Sequence, residues 1–379
     1  MRILFTWHAA VEPEYRKLFK EIAAQGNELT VITPEKWFES GRLQEIKGVL
    51  EQDGYKVIPV PILFQNKLKR FLYRDIKKLA GLFRSVNPEI VHIFEEPYSL
   101  SCFQMAMLSR RITPGAKIVV ESFENMIMPQ NFLFSYLEKF VLRNTDTLIA
   151  IPEEGRKIWS SKGFAKKIAQ APVGLDENLF KRTEVSLKGC EFPDRKERAR
   201  ICYVGRLTHD KGVDLLIEAI ANLREEKVNC ELVIAGSGEK ETFLRIAREK
   251  GVSGLITFID ALESRLLPAL YSKADILVLP SRTTKGWKEQ FGRVLTEAMS
   301  CEVAVVGSDS GEIPHVIGNA GLVFREGDPI ALTEALRKLI QDKGLRESYA
   351  KAGRERVLKR FTWKSVAQRL TEIYKEGLE

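Results

Sequence analysis

This sequence predicts an α/β chain with two doubly wound, parallel-sheet domains, on three observations. Apolar runs of strand length alternate with stretches whose apolar residues recur at helical spacing, and such alternation implies parallel strands covered by helices on both faces. The alternation fails once, in a poorly periodic stretch from about residue 175 to 199. The 379 residues, 44% of them hydrophobic, suffice for two ordinary cores.

Taken in order, strands are expected at 3–7, 29–33, 57–60, 90–94, 117–120 and 147–151, with helices filling the gaps, and together they make a first domain over 1–180. A second domain over 181–361 starts its sheet at Ile201 and continues it through 232–235, 257–259, 276–279, 303–306 and 321–324. Phe361-Thr362-Trp363 opens a last helix, 362–378. His92, flanked by Val91 and Ile93 in mid-strand, reads as a buried, hydrogen-bonded histidine. The first seven residues are too short an apolar run for a signal sequence, and no run approaches the ~18 residues of a membrane span. Cys102, Cys190, Cys202, Cys230 and Cys301 are odd in number and far apart, without a Cys-x-x-Cys pair. That pattern points to reduced thiols and a cytoplasmic protein, and away from a disulfide framework or a zinc site.

Two segments carry chemistry. In Glu289-Gln290-Phe291-Gly292-Arg293-Val294-Leu295-Thr296-Glu297, a Phe-Gly at the start of a helix separates two carboxylates. Glycine admits a ligand close to the backbone, and the first N–H groups of a helix bind electron-rich oxygens. Carboxylates accept from hydroxyls, so the segment suits a ligand bearing both hydroxyls and phosphates, such as a nucleotide sugar. An amphipathic helix with both glutamates in water is the alternative. The second segment, Gly205-Arg206-Leu207-Thr208-His209-Asp210-Lys211-Gly212, follows an apolar strand and precedes a helical pattern. Gly205 would turn the chain at the strand's carboxyl end, where open parallel sheets bind ligands. Arg206 and Lys211 would bring two positive charges there, against the plainer reading of two solvated side chains.

With these in place, the chain resembles the retaining glycosyltransferases of family 4, which have the GT-B fold of two Rossmann-like domains facing across a cleft. The resemblance also rests on Ala235-Gly236-Ser237-Gly238, Ala274-Asp275-Ile276-Leu277-Val278-Leu279-Pro280-Ser281, Ser310-Gly311-Glu312-Ile313-Pro314 and Gly327-Asp328-Pro329. It implies that the second domain holds the nucleotide-sugar donor, the first holds the acceptor, and the last helix crosses back onto the first. By the same resemblance Arg206 and Lys211 neutralise the departing diphosphate, Glu289 holds the donor sugar and Glu297 the ribose. Gly205, Gly236 and the backbone of Phe291, Gly292 and Arg293 line the donor, and Ile259, Asp260 and Ala261 meet the base. The chain contains no Asp-x-Asp triplet, the metal clamp of the other main glycosyltransferase fold, so transfer without metal or cofactor is expected.

The acceptor side departs from the pattern. Where many members carry a Gly-Gly loop, this chain has Trp7-His8-Ala9-Ala10-Val11-Glu12, and where many carry a histidine it has Glu121-Ser122-Phe123-Glu124-Asn125. His8, Glu124 and Asn125 are the acceptor candidates, with strand-end and loop-capping roles as the alternatives. The net charge is +8; residues 1–175 hold 25 Lys and Arg against 19 Asp and Glu, so 25 − 19 = +6 lies in that half. Over 64–84 seven basic residues face one acid, Asp75, and Leu68, Leu72, Ile76, Leu79 and Phe83 fall at helical spacing. A basic amphipathic helix can lie on the inner face of an anionic membrane or simply cover a sheet. No nucleic-acid motif accompanies the charge. The expected activity is transfer from a UDP-sugar to a lipid-linked or cell-surface saccharide. A nucleotide-sugar epimerase and a non-catalytic nucleotide-sugar binder are the competing readings. A dinucleotide oxidoreductase is a remoter reading still, since no Gly-x-Gly-x-x-Gly follows the first strand.

Overall fold

The apolar runs of the first half lie side by side in one eight-stranded sheet, in the spatial order Lys167–Ala169, Thr147–Ala150, Lys117–Ser122, Ile90–Ile93, Arg2–Thr6, Glu28–Pro34, Tyr55–Val60 and Leu50–Gln52. This computed structural model describes residues 1–39, 42–184 and 198–378. Every pairing in the sheet is parallel except that of the edge strand Leu50–Gln52, which runs antiparallel to Tyr55–Val60. Ile3, Leu4 and Phe5 are successive residues and all fully buried. A strand apolar on both faces needs cover on both, and a parallel sheet supplies the connections that provide it.

The second sheet has six strands, all parallel, in the order Ile256–Ile259, Cys230–Ala235, Ala199–Val204, Ile276–Leu279, Ala304–Ser308 and Gly321–Phe324. Numbered along the chain, that is 3-2-1-4-5-6, the doubly wound order in which the chain reverses direction across the sheet between its first and fourth strands. Ile201, Tyr203, Leu232, Ile234, Ile276 and Val278 turn one face into a core shared with Leu216 and Ile220 of the helix Val213–Glu225 and with Leu332 and Leu336 of Pro329–Gln341.

The chain divides into two units, Met1–Gly174 with Trp363–Glu379, and Leu175–Thr362. The first unit thus ends at Gly174 rather than at 180, because the residues after it are already built into the second. Leu175 donates its N–H to the Phe361 carbonyl (2.8 Å), and the Arg354 guanidinium donates to the Phe180 carbonyl (3.0 Å). Of the break expected over 175–199, residues 185–197 lie outside the described residues, and so does Cys190. The last helix, Trp363–Leu378, packs within the first unit against Lys17–Ala23. Its Tyr374 hydroxyl lies 2.6 Å from His92 Nδ1, whose Nε2 is 3.0 Å from a Glu121 carboxylate oxygen. His92 is therefore the buried, bonded residue its position in a strand implied.

Two expectations need correction. Among the described residues no helix fills the gap between Glu28–Pro34 and Tyr55–Val60. Lys36–Glu39 and Arg42–Glu45 form an antiparallel pair there instead, pinned by Trp37, which is buried against His8 and Phe71. Nor is 64–84 one amphipathic helix. Ile62–Leu63 pairs with Leu72–Tyr73, and the helix starts only at Ile76, where Asp75 caps it by accepting from Lys78 N–H (2.9 Å). Leu79 and Phe83 then bury one helical face. The described cysteines are buried free thiols; burial pushes Cys202 and Cys301 up to about 12 and Cys230 to about 11, which keeps them protonated and inert. No helix among the described residues is long and apolar enough to cross a membrane.

Candidate active site

The candidate residues of the second unit gather at the carboxyl edge of its sheet. After Ala199–Val204 the chain turns through Gly205 and Leu207, which pair with the neighbouring strand's end: Gly205 N–H donates to the Ala235 carbonyl (3.0 Å) and Leu207 N–H to Ser237 (2.8 Å). This pairing needs the glycine at 236. A Cβ there would stand 1.8 Å from the Gly205 carbonyl oxygen, so no side chain fits without moving the turn. The Tyr203 hydroxyl holds the turn from below by donating to the Arg206 carbonyl (2.6 Å). Burial first, then the charges of Glu289 and Asp210, raise its pKa, so it stays a neutral donor.

Lys211 stands beyond that turn, and its Nζ donates to Glu289 Oε2 at 2.7 Å, with Ser281 Oγ donating to the same oxygen at 3.0 Å. Lys211 follows the first strand of this sheet, while Ser281 and Glu289 follow the fourth. The pair therefore bridges the point at which the winding reverses, where doubly wound sheets open a crevice for ligands. Trp287 lies under the ammonium, 4.2 Å from ring centre to Nζ, a cation–π contact. The Glu289 carbonyl accepts from Glu312 N–H (3.1 Å), which fixes the loop before the helix.

Gly292 caps that helix, Arg293–Ser300, with φ 85°, a left-handed backbone natural to glycine. Glu297 sits one turn inside it: Tyr271 OH donates to its Oε2 (2.8 Å), and Arg293 lies 3.7 Å from its Oε1. Phe291 is buried edge-on against Phe361, so only its backbone can face a ligand. Arg206 stays apart from the Lys211–Glu289 pair, its side chain 62% exposed and 3.7 Å from Asp210. Ile259, Asp260 and Ala261 end the strand Ile256–Ile259 on the same edge; the Asp260 side chain is 94% exposed, near Lys240 (3.4 Å).

The acceptor candidates occupy the carboxyl edge of the first sheet. His8 follows its first strand, and His8 Nδ1 and backbone N–H both lie 2.8 Å from Glu95 Oε1. Burial pushes the His8 pKa down, but Glu95 outweighs it and the net shift is upward. Glu95 and Glu96 are not among the sequence candidates, although they follow the strand Ile90–Ile93 that flanks Arg2–Thr6 at this sheet's own reversal point. Glu96 accepts from Ser122 Oγ (2.6 Å) and Phe123 N–H (2.8 Å), and burial raises its carboxyl to about 7 despite them. Glu124 is committed elsewhere: Lys162 Nζ donates to both its oxygens (2.8 and 3.0 Å) and to Glu138 (2.8 Å). Asn125 is buried beside it.

Comparisons with known proteins agree with this architecture. Residues 191–356 match the model for glycosyl transferases group 1, and residues 15–179 that for glycosyltransferase family 4. A GDP-mannose-dependent α-(1-6)-phosphatidylinositol monomannoside mannosyltransferase from Mycolicibacterium smegmatis is 30% identical over 229 residues, covering 56% of this chain and 58% of that one. The chain spans about half the length of several such curated relatives. An α-D-kanosaminyltransferase from Streptomyces kanamyceticus is 27% identical over 95% of this chain and 98% of its own. Anabaena HepE, solved in complex with UDP, superposes with a TM-score of 0.72 at 16% identity, covering 99% of this chain and 100% of its own. The chain belongs to the family 4, group 1 glycosyltransferases and has their GT-B fold.

Proposed function

We propose that the protein moves a sugar from a nucleotide-sugar donor to a saccharide acceptor, lipid-linked or on the cell surface, with retention of configuration and without a metal. The observation that carries the reading is the Lys211–Glu289 pair bridging the reversal point of the second sheet, with Ser281 on the same carboxylate. A donor diphosphate gives Lys211 a stronger anion than a single carboxylate. As Lys211 turns to it, Glu289 is released to accept from the donor sugar's hydroxyls. Arg206, largely exposed, supplies a second cation to the same diphosphate. Glu297, held by Tyr271, takes the ribose hydroxyls, and the backbone at 259–261 the base.

In the transfer step the bond from the anomeric carbon to the diphosphate oxygen breaks, and the acceptor oxygen bonds to that carbon on the same face. The acceptor's proton passes to the departing diphosphate, whose negative charge Lys211 and Arg206 stabilise. Glu289 and Glu297 are thus donor ligands, not the acid and nucleophile of a glycosidase. The acceptor meets the first sheet's edge at His8, Glu95 and Glu96, with Asn125 adjoining. Lack of an Asp-x-Asp triplet supports the metal-free reading.

A UDP-sugar is the donor we assign, following the fold neighbour solved with UDP; the GDP-mannose-dependent relative makes GDP-mannose its chief competitor. The test is a panel of UDP-, GDP- and ADP-sugars with the full chain, with and without EDTA, reading thermal shift and released nucleotide together. Stabilisation by a UDP-sugar with slow release of UDP, unaffected by EDTA, is the expected result. Epimerised sugar without release would establish the epimerase reading instead, and binding without turnover the non-catalytic one.

A further inference from the structure

The basic stretch after Tyr55–Val60 is not used by the donor or acceptor chemistry, and its conformation is unusual. Phe64 has φ 57° and Asn66 φ 58°, left-handed values within one turn. For a residue as bulky as phenylalanine such backbone is strained, and strain of this kind persists where a conformation serves a purpose. Here it holds the Phe64 ring outward, 58% exposed, with Leu63 at 44% and Leu68 at 53%. Beneath them Phe71 and Tyr73 are buried, and Gln104 bonds both the N–H and the carbonyl of Tyr73 (2.9 and 2.8 Å), so the exposed turn stands on a fixed base. Asn66 Oδ1 accepts from Phe38 N–H (2.9 Å), which fastens the turn to the neighbouring hairpin. In that hairpin Phe38 and Leu43 are cross-strand partners on one face, 52% and 55% exposed.

We propose that this pair of hairpins is a docking surface for an anionic membrane. Between residues 62 and 78 there are six basic residues and one acid, and Lys67, Lys69, Arg70 and Arg74 are all exposed around the apolar tip. Exposed phenylalanine and leucine ringed by cations match a bilayer's acyl boundary and its anionic headgroups. The same ring of charge repels a second copy of this face. Both hairpins leave the carboxyl edge of the first sheet, the edge that carries His8 and Glu95, so docking sets a lipid surface on the side where the acceptor candidates lie. The inference rests on exposure and charge, and stands independently of the transfer reading.

The test is co-sedimentation of the full chain with vesicles of phosphatidylcholine alone or mixed with phosphatidylglycerol. Binding to the anionic vesicles is expected to exceed that to neutral ones by ~10-fold or more, and Lys67→Glu with Arg70→Glu to remove ~10-fold of it. Phe64→Gly separates docking from folding: it relieves the left-handed strain, so its unfolding temperature should rise while vesicle binding falls. Equal binding to both vesicle types, or full binding by both variants, overturns the proposal. So does self-association in the ultracentrifuge that Phe64→Gly abolishes while vesicles go unbound, since that would make a second copy the occupant.

Discussion

Replacing Lys211 by alanine separates two consequences that the structure attaches to one ammonium. The first is structural. The side chains of the Lys211–Glu289 pair are only 14% and 10% exposed, so the substitution leaves a largely buried carboxylate that still accepts from Ser281. Stranding a fully buried charge costs about 3–5 kcal/mol, and the residual water and the Ser281 bond reduce this to about 2 kcal/mol. The second is catalytic: loss of one preorganised charge on a leaving group raises the barrier by ~2 to 4 kcal/mol, or about 30- to 1000-fold in rate. Urea unfolding reads the first effect, and nucleotide release at saturating donor reads the second. The double variant Lys211→Ala, Glu289→Gln removes the stranded charge, so it should regain most of the stability and none of the turnover. Wild-type turnover in Lys211→Ala would remove the lysine from the site. Recovery of both properties together would reduce the pair to a structural ion pair.

Four further outcomes follow from other contacts. His8 has a folded pKa above its ordinary 6.5 because Glu95 outweighs burial, so its contribution is complete below pH 6.5 and is lost as pH rises through the folded value. The stability difference between wild type and His8→Gln should therefore shrink over that rise, and a flat difference would disconnect the two side chains. Glu96 runs the other way: with its folded carboxyl at about 7, the folded state holds a proton that the unfolded chain has released, so stability falls as pH climbs from about 4.5 to about 7. Glu96→Gln should flatten that fall in thermal scans, and an unchanged slope would place the titration elsewhere. Gly236→Ala forces a methyl toward the Gly205 carbonyl and should lower stability by ~3 kcal/mol or more with loss of nucleotide binding; calorimetry showing neither would mean the turn yields freely. Tyr374→Phe takes the hydroxyl from His92 and should destabilise the first unit by ~1 to 2 kcal/mol, with faster amide exchange in the last helix; native exchange rates would deny His92 that anchoring part.

Which features were legible in the sequence depends on the range over which each is encoded. The runs around Ile3, Ile90, Ile201 and Ile276 are strands buried on both faces, and that burial is written locally as consecutive apolar residues. Glycine marks were legible for the same reason: Gly292 and Gly236 answer to backbone demands within a few residues or one strand away. The hairpin at 36–45 was not legible, because its fold depends on Trp37 meeting His8 and Phe71, rings that adjoin it only once the sheet exists. Helical spacing over 64–84 misled because the spacing is real from Leu79 to Phe83, whereas Asp75 starts the helix at Ile76 and leaves Leu68 outside it.

The acceptor side shows the same limit in its chemistry. Glu124 looked available in sequence, and nothing near it announces Lys162, 38 positions away, which occupies both its oxygens. Glu95 and Glu96 had a signal that strand patterns alone do not use: they follow the strand that flanks the first one across the reversal of winding, the place in the first sheet that corresponds to Lys211 and Glu289 in the second. Each sheet thus sets a cation or imidazole after its first strand against a carboxylate from the far side of the reversal, His8 with Glu95 and Lys211 with Glu289. The common cause is topological. A doubly wound sheet leaves its two central strands without a covering connection at their carboxyl ends, so polar groups there keep access to solvent and to ligands while their neighbours are buried.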